Sequence, residues 1–177
     1  MLYRFDGRAP QVGAGTYVSP LALVIGDVRI GESCYIGHGA ILRGDYGTIV
    51  IGNGTAVEEA VIIHAPPRAT CRIGEKVTLG HGAIVHGESV GDLAVVGIGA
   101  VLGLRCRIGA RAILGEGTVV KSRQEIPPGM VAVGNPARVV RAVTAADEEF
   151  WAWGKQLYID LAAKYLALGM RPVAPGY

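Results

Sequence analysis

Aromatic residues make up only 6% of this 177-residue sequence, and charged residues only 18%. So little charge argues against a disordered chain. No apolar run approaches the roughly 18 residues of a membrane span, which excludes a helical membrane protein. The net charge of +2 is scattered, with no basic block, so neither nucleic acid nor a membrane surface is an expected partner. The opening MLYRFDGRAP lacks the apolar stretch of a signal peptide, and a cytoplasmic location is expected. Cysteine is also scarce. Cys34, Cys71 and Cys106 form no CxxC pair, and their odd number argues against a disulfide framework, so they read as buried thiols.

Glycine is abundant instead, with 27 residues and no G-X-Y period that would indicate collagen. It follows a repeat of six. Aliphatic residues open successive units at Val12, Val18, Val24, Ile30, Ile36 and Leu42. The frame slips after Tyr46 and resumes at Ile51, Val57 and Ile63. It slips again at Pro66-Pro67, resumes at Ile73, Leu79 and Val85, and shifts once more before Val96, Leu102, Ile108, Leu114 and Val120. Small residues take the fifth place, and glycine often takes the second, where a recurring turn is expected.

Six is a multiple of the strand period of two and does not fit a helix. Three short strands then close a coil of about 18 residues, and coils stack at roughly 4.8 Å into a parallel β-helix. This fold is expected over residues 1–141. Residues 142–177 differ. Thr144 reads as a helix N-cap, Phe150, Leu157, Leu161 and Leu168 as an apolar face, and Gly169 as the stop. The helix and tail are expected to pack on the coil or on a neighbouring subunit.

Three of the four histidines fall in a common frame. His64 and His86 each follow a core aliphatic at the second place of a unit. If the residues around Pro66-Pro67 bulge out, the two stack one coil apart. His81 lies on the preceding face and points elsewhere. Zinc usually takes at least three protein ligands, so the arrangement suggests a cyclic trimer in which His81 of one subunit meets His64 and His86 of the next. Any one of these histidines alone would read as an ordinary surface polar group. Treating Thr48-Ile49-Val50 as an insertion puts Arg43 on the same face and place. With Asp45 it forms an RGD that suits an interfacial ion pair. Glu58 shares a face with His81 and reads either as a proton acceptor or metal ligand, or as a solvated surface carboxylate.

The LRGD at 42–45, His64, the HGAIVHG at 81–87, the PPGMVAVGNPARVVR at 127–141 and the terminal helix together resemble the gamma-class carbonic anhydrase family. The resemblance covers nearly the whole chain. It implies a mainly β fold: a left-handed parallel β-helix of hexapeptide repeats with a C-terminal α-helix. It also implies a homotrimer holding zinc, with iron or cobalt as alternatives, on His64, His81 and His86. Zinc-bound hydroxide would attack carbon dioxide to give bicarbonate. Arg43 and Asp45 would shape the site, and Tyr158 matches a tyrosine near it.

Where the family often reads N-x-Q-D, this chain has Ala56-Val57-Glu58-Glu59. The change loses one amide and places a carboxylate near the metal, which disfavours a second anion there and implies weak hydration activity. Two other readings stand beside this one. One is an acyl-CoA thioesterase or acyltransferase on the same fold, acting on a thioester. The other is a non-catalytic metal-binding trimeric scaffold.

Overall fold

A computed structural model describes residues 1–173. Its strands, most of them two residues long, wind into stacked coils, with α1 (Ala145–Leu168) closing the described chain. Each of three faces carries seven parallel rungs. The strands Leu23–Ile30 and Ile41–Ile51 run through the corner between faces one and two, so those faces form one 12-stranded sheet, and face three forms an 8-stranded one. The chain is therefore a parallel β-helix of hexapeptide repeats with one C-terminal helix.

The hexad explains the core. Val24, Leu42, Ile63, Val85, Leu102 and Val120 follow one another in register and are buried. Small residues at the fifth place, among them Ala22, Cys34, Ala40, Ala83 and Cys106, fill the corners. All three cysteines are free and buried. Burial pushes Cys71 up to about 12 and Cys106 up to about 11, so neither forms a thiolate readily.

Glycine has a different role from the expected one. The left-handed turn residue sits at the fourth place, as Gly39 (φ 72°) and Ala60 (φ 58°) illustrate. The second-place glycine answers to stacking: a Cβ on Gly52 would lie 2.6 Å from the Gly74 carbonyl carbon one coil on. Stacked backbones leave no room there.

Coil length varies at one corner. Rungs 18 residues apart are the rule, as from Val24 to Leu42. Leu42 to Ile63 takes 21 residues, Ile63 to Val85 takes 22, and Val85 to Leu102 only 17. The additions and the loss all fall where face one passes into face two.

The outer surfaces of the faces differ. Face three presents Tyr17, Tyr35, Ala56, Thr78 and Val95, all buried, with α1 packed over its first coils. Face two presents Arg29, Val50, Arg72, Ser89, Arg107 and Glu125. Face one presents a bare aliphatic row of Leu23, Ile41, Ile62, Ile84, Val101 and Val119, in which Ile62 is 39% and Ile84 43% exposed.

α1 begins at Thr144, whose hydroxyl and the Asp147 carboxylate form a reciprocal capping box, and it stops at Gly169. Of the expected inner face, only Leu161 packs against the coil. Phe150, Leu157 and Leu168 are exposed, whereas Trp151, Lys155, Tyr158, Ala162 and Tyr165 turn toward the coil. The Tyr17 and Tyr35 rings stack there, and Tyr17 stacks on Tyr165 at 4.6 Å. A tyrosine-lined sheet face selects rings that bury a body and keep a hydroxyl, not leucines. No described helix is long and apolar enough to cross a membrane. The last residues of the expected 142–177 segment, 174–177, lie outside the described residues.

Candidate functional site

Successive coils of face one end on Arg43, His64 and His86. Arg43 pairs in register with His64, and Ile63 with Val85, which places His86 directly beyond His64. The two imidazoles lie 4.8 Å apart between centroids, with His64 Nδ1 2.9 Å from His86 Nε2. Burial, then the charge of Arg43, then His86, pushes His64 below its ordinary range, so its ring is neutral at pH 7. Where the two rings hydrogen-bond, one N–H donates to the other ring's lone pair. A cation between them would use both lone pairs instead.

The outer nitrogen of His64, Nε2, is buried without a hydrogen-bond partner. Asp45 Oδ1 stands 3.6 Å away, beyond hydrogen-bond length and beside a neutral ring, so the contact is not an ion pair. It does lie on the side from which carboxylates orient metal-bound imidazoles. Arg43 Nη1 donates to Asp45 Oδ2 at 2.8 Å, and the Tyr46 amide donates to Oδ1. Burial alone would raise Asp45, but these bonds and the Arg43 charge outweigh it and hold Asp45 below its ordinary range. Two adjacent imidazole nitrogens and an orphaned ring nitrogen beside a fixed carboxylate fit a divalent metal of the zinc type.

His81 lies at the other edge of face one. Its Nδ1 is 2.8 Å from Glu59 Oε2 and its Nε2 is 3.1 Å from Glu58 Oε2. It can bind a metal only by giving up one carboxylate. Glu59 is the closer partner and is fixed by the Tyr35 hydroxyl at 2.6 Å, which leaves Nε2 as the free donor. Among the described residues, no three metal-ligating side chains cluster within one chain. The structure thus brings His64, His86, Arg43 and Asp45 to one corner, and His81 and Glu58 to another.

Glu58 is buried, so the solvated reading of this residue does not hold. Its side chain occupies a place where neighbouring coils have Gly37 and Gly80, and it accepts the His81 amide at 3.0 Å. Burial raises its pKa, and the His81 charge only partly opposes this. Tyr158, from α1, lines the same cavity of about 290 Å³. Burial and then the Glu58 charge push the Tyr158 hydroxyl up. Ala56 lies in the row beneath α1, between Tyr35 and Thr78 in register. Glu59 and Lys155 were not singled out from the sequence. Glu59 shares the third place of its unit with His81, a signal the hexad count contains.

Several known proteins are similar to this chain. A carbonic anhydrase of Geobacillus kaustophilus is 34% identical over 168 residues, covering 95% of this chain and 92% of the relative. The carnitine operon protein CaiE of Citrobacter koseri is 37% identical over 162 residues, covering 92% and 82%. Gamma carbonic anhydrase 1, mitochondrial, of Arabidopsis thaliana is 34% identical over 176 residues, covering 96% of this chain and 63% of the relative. The chain belongs to the gamma carbonic anhydrase-like family.

It spans 63% and 59% of the length of the two Arabidopsis gamma carbonic anhydrases it matches. Among solved structures, a hexapeptide transferase family protein from Anaplasma phagocytophilum superposes with a TM-score of 0.88 at 29% identity, covering 93% of this chain and 98% of that one. No family model matches. Within the gamma carbonic anhydrase-like family, names for carbonic anhydrases and for CaiE occur at about the same distance from this chain, so the name alone does not choose an activity.

Proposed function

We propose that the protein is a homotrimeric zinc-dependent enzyme that hydrates carbon dioxide to bicarbonate, with each site shared between two subunits. The observation that carries this is the contrast between the faces. Face three is covered by α1 over its first coils, face two is mostly polar, and face one is a bare aliphatic row with His64 and His86 along one edge and His81 along the other. An exposed apolar strip of this kind marks an interface. A threefold axis that buries it brings one edge of each subunit toward the opposite edge of the next.

His64 and His86 of one subunit and His81 of its neighbour would hold the metal. When bound, zinc supplies the acidification of water that makes a nucleophile available at neutral pH. Arg43 fixes Asp45, and Asp45 faces the outer nitrogen of His64 and orients that ring. Glu59 holds Nδ1 of His81 and so sets which nitrogen is free. Glu58 lies beside the free nitrogen, in a cavity that Tyr158 also lines. Its negative charge works against a second anion there. Hydration should therefore be slow for the family.

The test combines zinc content with stopped-flow carbon dioxide hydration on one zinc-loaded sample. About three zinc ions per trimer with measurable hydration is the expected result. Three zinc ions without hydration would refute the reaction and leave the metal site standing. No zinc at all would refute both.

A further inference from the structure

The irregular corner builds a recess that carbon dioxide does not need. Ten residues separate Ile63 from Ile73 where six is the rule, so the segment through Pro66 and Ala69 juts outward. One coil on, only five separate Val85 from Val90, and the chain is drawn in, with Gly87 against Cys106. Beneath the overhang lies a cavity of about 500 Å³, with His86 in its wall. It lies on the face-two side of the corner, away from the aliphatic row.

Among the charged groups of the lining, two guanidiniums face one carboxylate. Arg72 and Arg105 border the recess, and neither has a carboxylate partner among the described residues. Thr70 and Ser89 add hydroxyls. The one carboxylate is Glu88, and Arg107 holds it at 2.9 Å while also bonding Glu125 at 3.0 Å. Two unpaired guanidiniums over a concave surface form a receptor for an oxyanion, because their forked N–H groups match phosphate and carboxylate oxygens. Carbon dioxide carries no charge and occupies a small part of 500 Å³.

We propose that the Arg72–Arg105 recess binds the phosphate or carboxylate group of a substrate larger than carbon dioxide, with the reacting carbon of that substrate at the His64–His86 edge. This rests on the metal-site reading above and extends it from carbon dioxide to an anionic carbonyl compound. A thioester on a phosphate-bearing carrier is one such compound, and a dicarboxylate is another. In both the anion is held by Arg72 and Arg105 and plays no part in the bond that reacts.

The experiment is calorimetric titration of the metal-free trimer with inorganic phosphate, malonate and coenzyme A, at low salt. Arg72→Gln and Arg105→Gln should each weaken binding of the preferred anion roughly tenfold, and the double variant should abolish it. Glu88→Gln removes the lone carboxylate and frees Arg107, so affinity should rise roughly fivefold. All these side chains lie on the outer surface, and circular dichroism and sedimentation verify that the variants keep the fold and assembly. Preference for coenzyme A over free phosphate would identify a carrier-borne phosphate. Preference for malonate would identify a carboxylate substrate. Anion affinity that is absent, or unchanged in the double variant, overturns the proposal. Zinc uptake by separate, zinc-loaded aliquots of the same protein keeps the two ideas apart. Zinc uptake without anion affinity sinks the recess alone, and anion affinity lost with Arg72 and Arg105 in a protein that takes up no zinc sinks the metal reading alone.

Discussion

Lys155 offers a test of the helix packing that is independent of any activity. Its side chain is only 5% exposed beneath α1. The ammonium donates to Thr78 Oγ1 at 3.2 Å and to the Ala94 carbonyl at 3.3 Å, and it lies 5.7 Å from the centre of the Trp151 ring. No carboxylate forms an ion pair with it among the described residues. Burial pushes it down to about 8 from an ordinary 10.5, and the charge of Glu58 opposes this only in part. A gap of about 2.5 units corresponds to about 3 kcal/mol of penalty for keeping the group charged in the folded state.

Between about pH 8 and 10.5 the unfolded chain holds more protons than the folded one, so stability rises with pH in that window. The penalty is full below pH 8 and gone above 10.5. Lys155→Met removes the charge and preserves the length. The lost hydrogen bonds return about 1–2 kcal/mol of the gain. The Ala94 carbonyl still accepts the Thr78 amide at 3.1 Å. The variant should therefore be more stable than the parent by about 1–2 kcal/mol at pH 7, and this advantage should vanish or reverse above pH 10.5. Urea unfolding of both proteins at matched concentration, at pH 7 and pH 10.5, measures the difference directly. Parallel pH profiles would refute the reasoning.

Other outcomes follow from the same structure. Replacing Ile62 and Ile84 by Asp should give a folded monomer by light scattering, with its circular dichroism retained; a trimer would show that face one is not the interface. Mixing His81→Ala with His64→Ala subunits should restore some metal sites in mixed trimers, and no recovery would count against shared sites. Gly52→Ala should lower the melting temperature far more than Gly39→Ala. The first forces a Cβ to 2.6 Å from backbone, while the second meets nothing nearer than 4.0 Å and adopts a turn angle that Ala60 already has. Glu58→Gln should raise the carbon dioxide hydration rate, and an equal or lower rate would remove the charge explanation for slow turnover.

The fold was legible because the β-helix writes its core as a period. Counting sixes located most rungs and the corner insertion before Ile73. The extra residues after Leu42 lie between Gly44 and Ile49, not at Thr48-Ile49-Val50, because Ile49 and Val50 pair in register with Val28 and Arg29. The count also placed His64 beside His86 before any coordinates, since register in a parallel stack is arithmetic. The helix was harder to read. Its sequence offers apolar side chains at Phe150, Leu157 and Leu168, but the sheet surface it meets is built of Tyr17 and Tyr35. The buried face is accordingly Trp151, Lys155 and Tyr158, residues whose polar tips do not register as apolar in a pattern. Glu59 escaped notice because carboxylates at a turn are usually solvated. Only the stacking of third places, which puts it one coil from His81, gives it a partner. The recess was invisible for another reason: it arises from one corner that is too long lying beside one that is too short, and neither is a motif.

The strand Arg138–Ala142 runs antiparallel to its neighbour Met130–Val133, unlike every other named strand pair in the coil. A stack of identical rungs has no intrinsic reason to end, and its last row of amides and carbonyls is a template for the next molecule. Reversing the direction of the final strand breaks that template, and the chain then leaves as α1. On face three, this short reversal denies an incoming copy the parallel edge that the coil would otherwise offer.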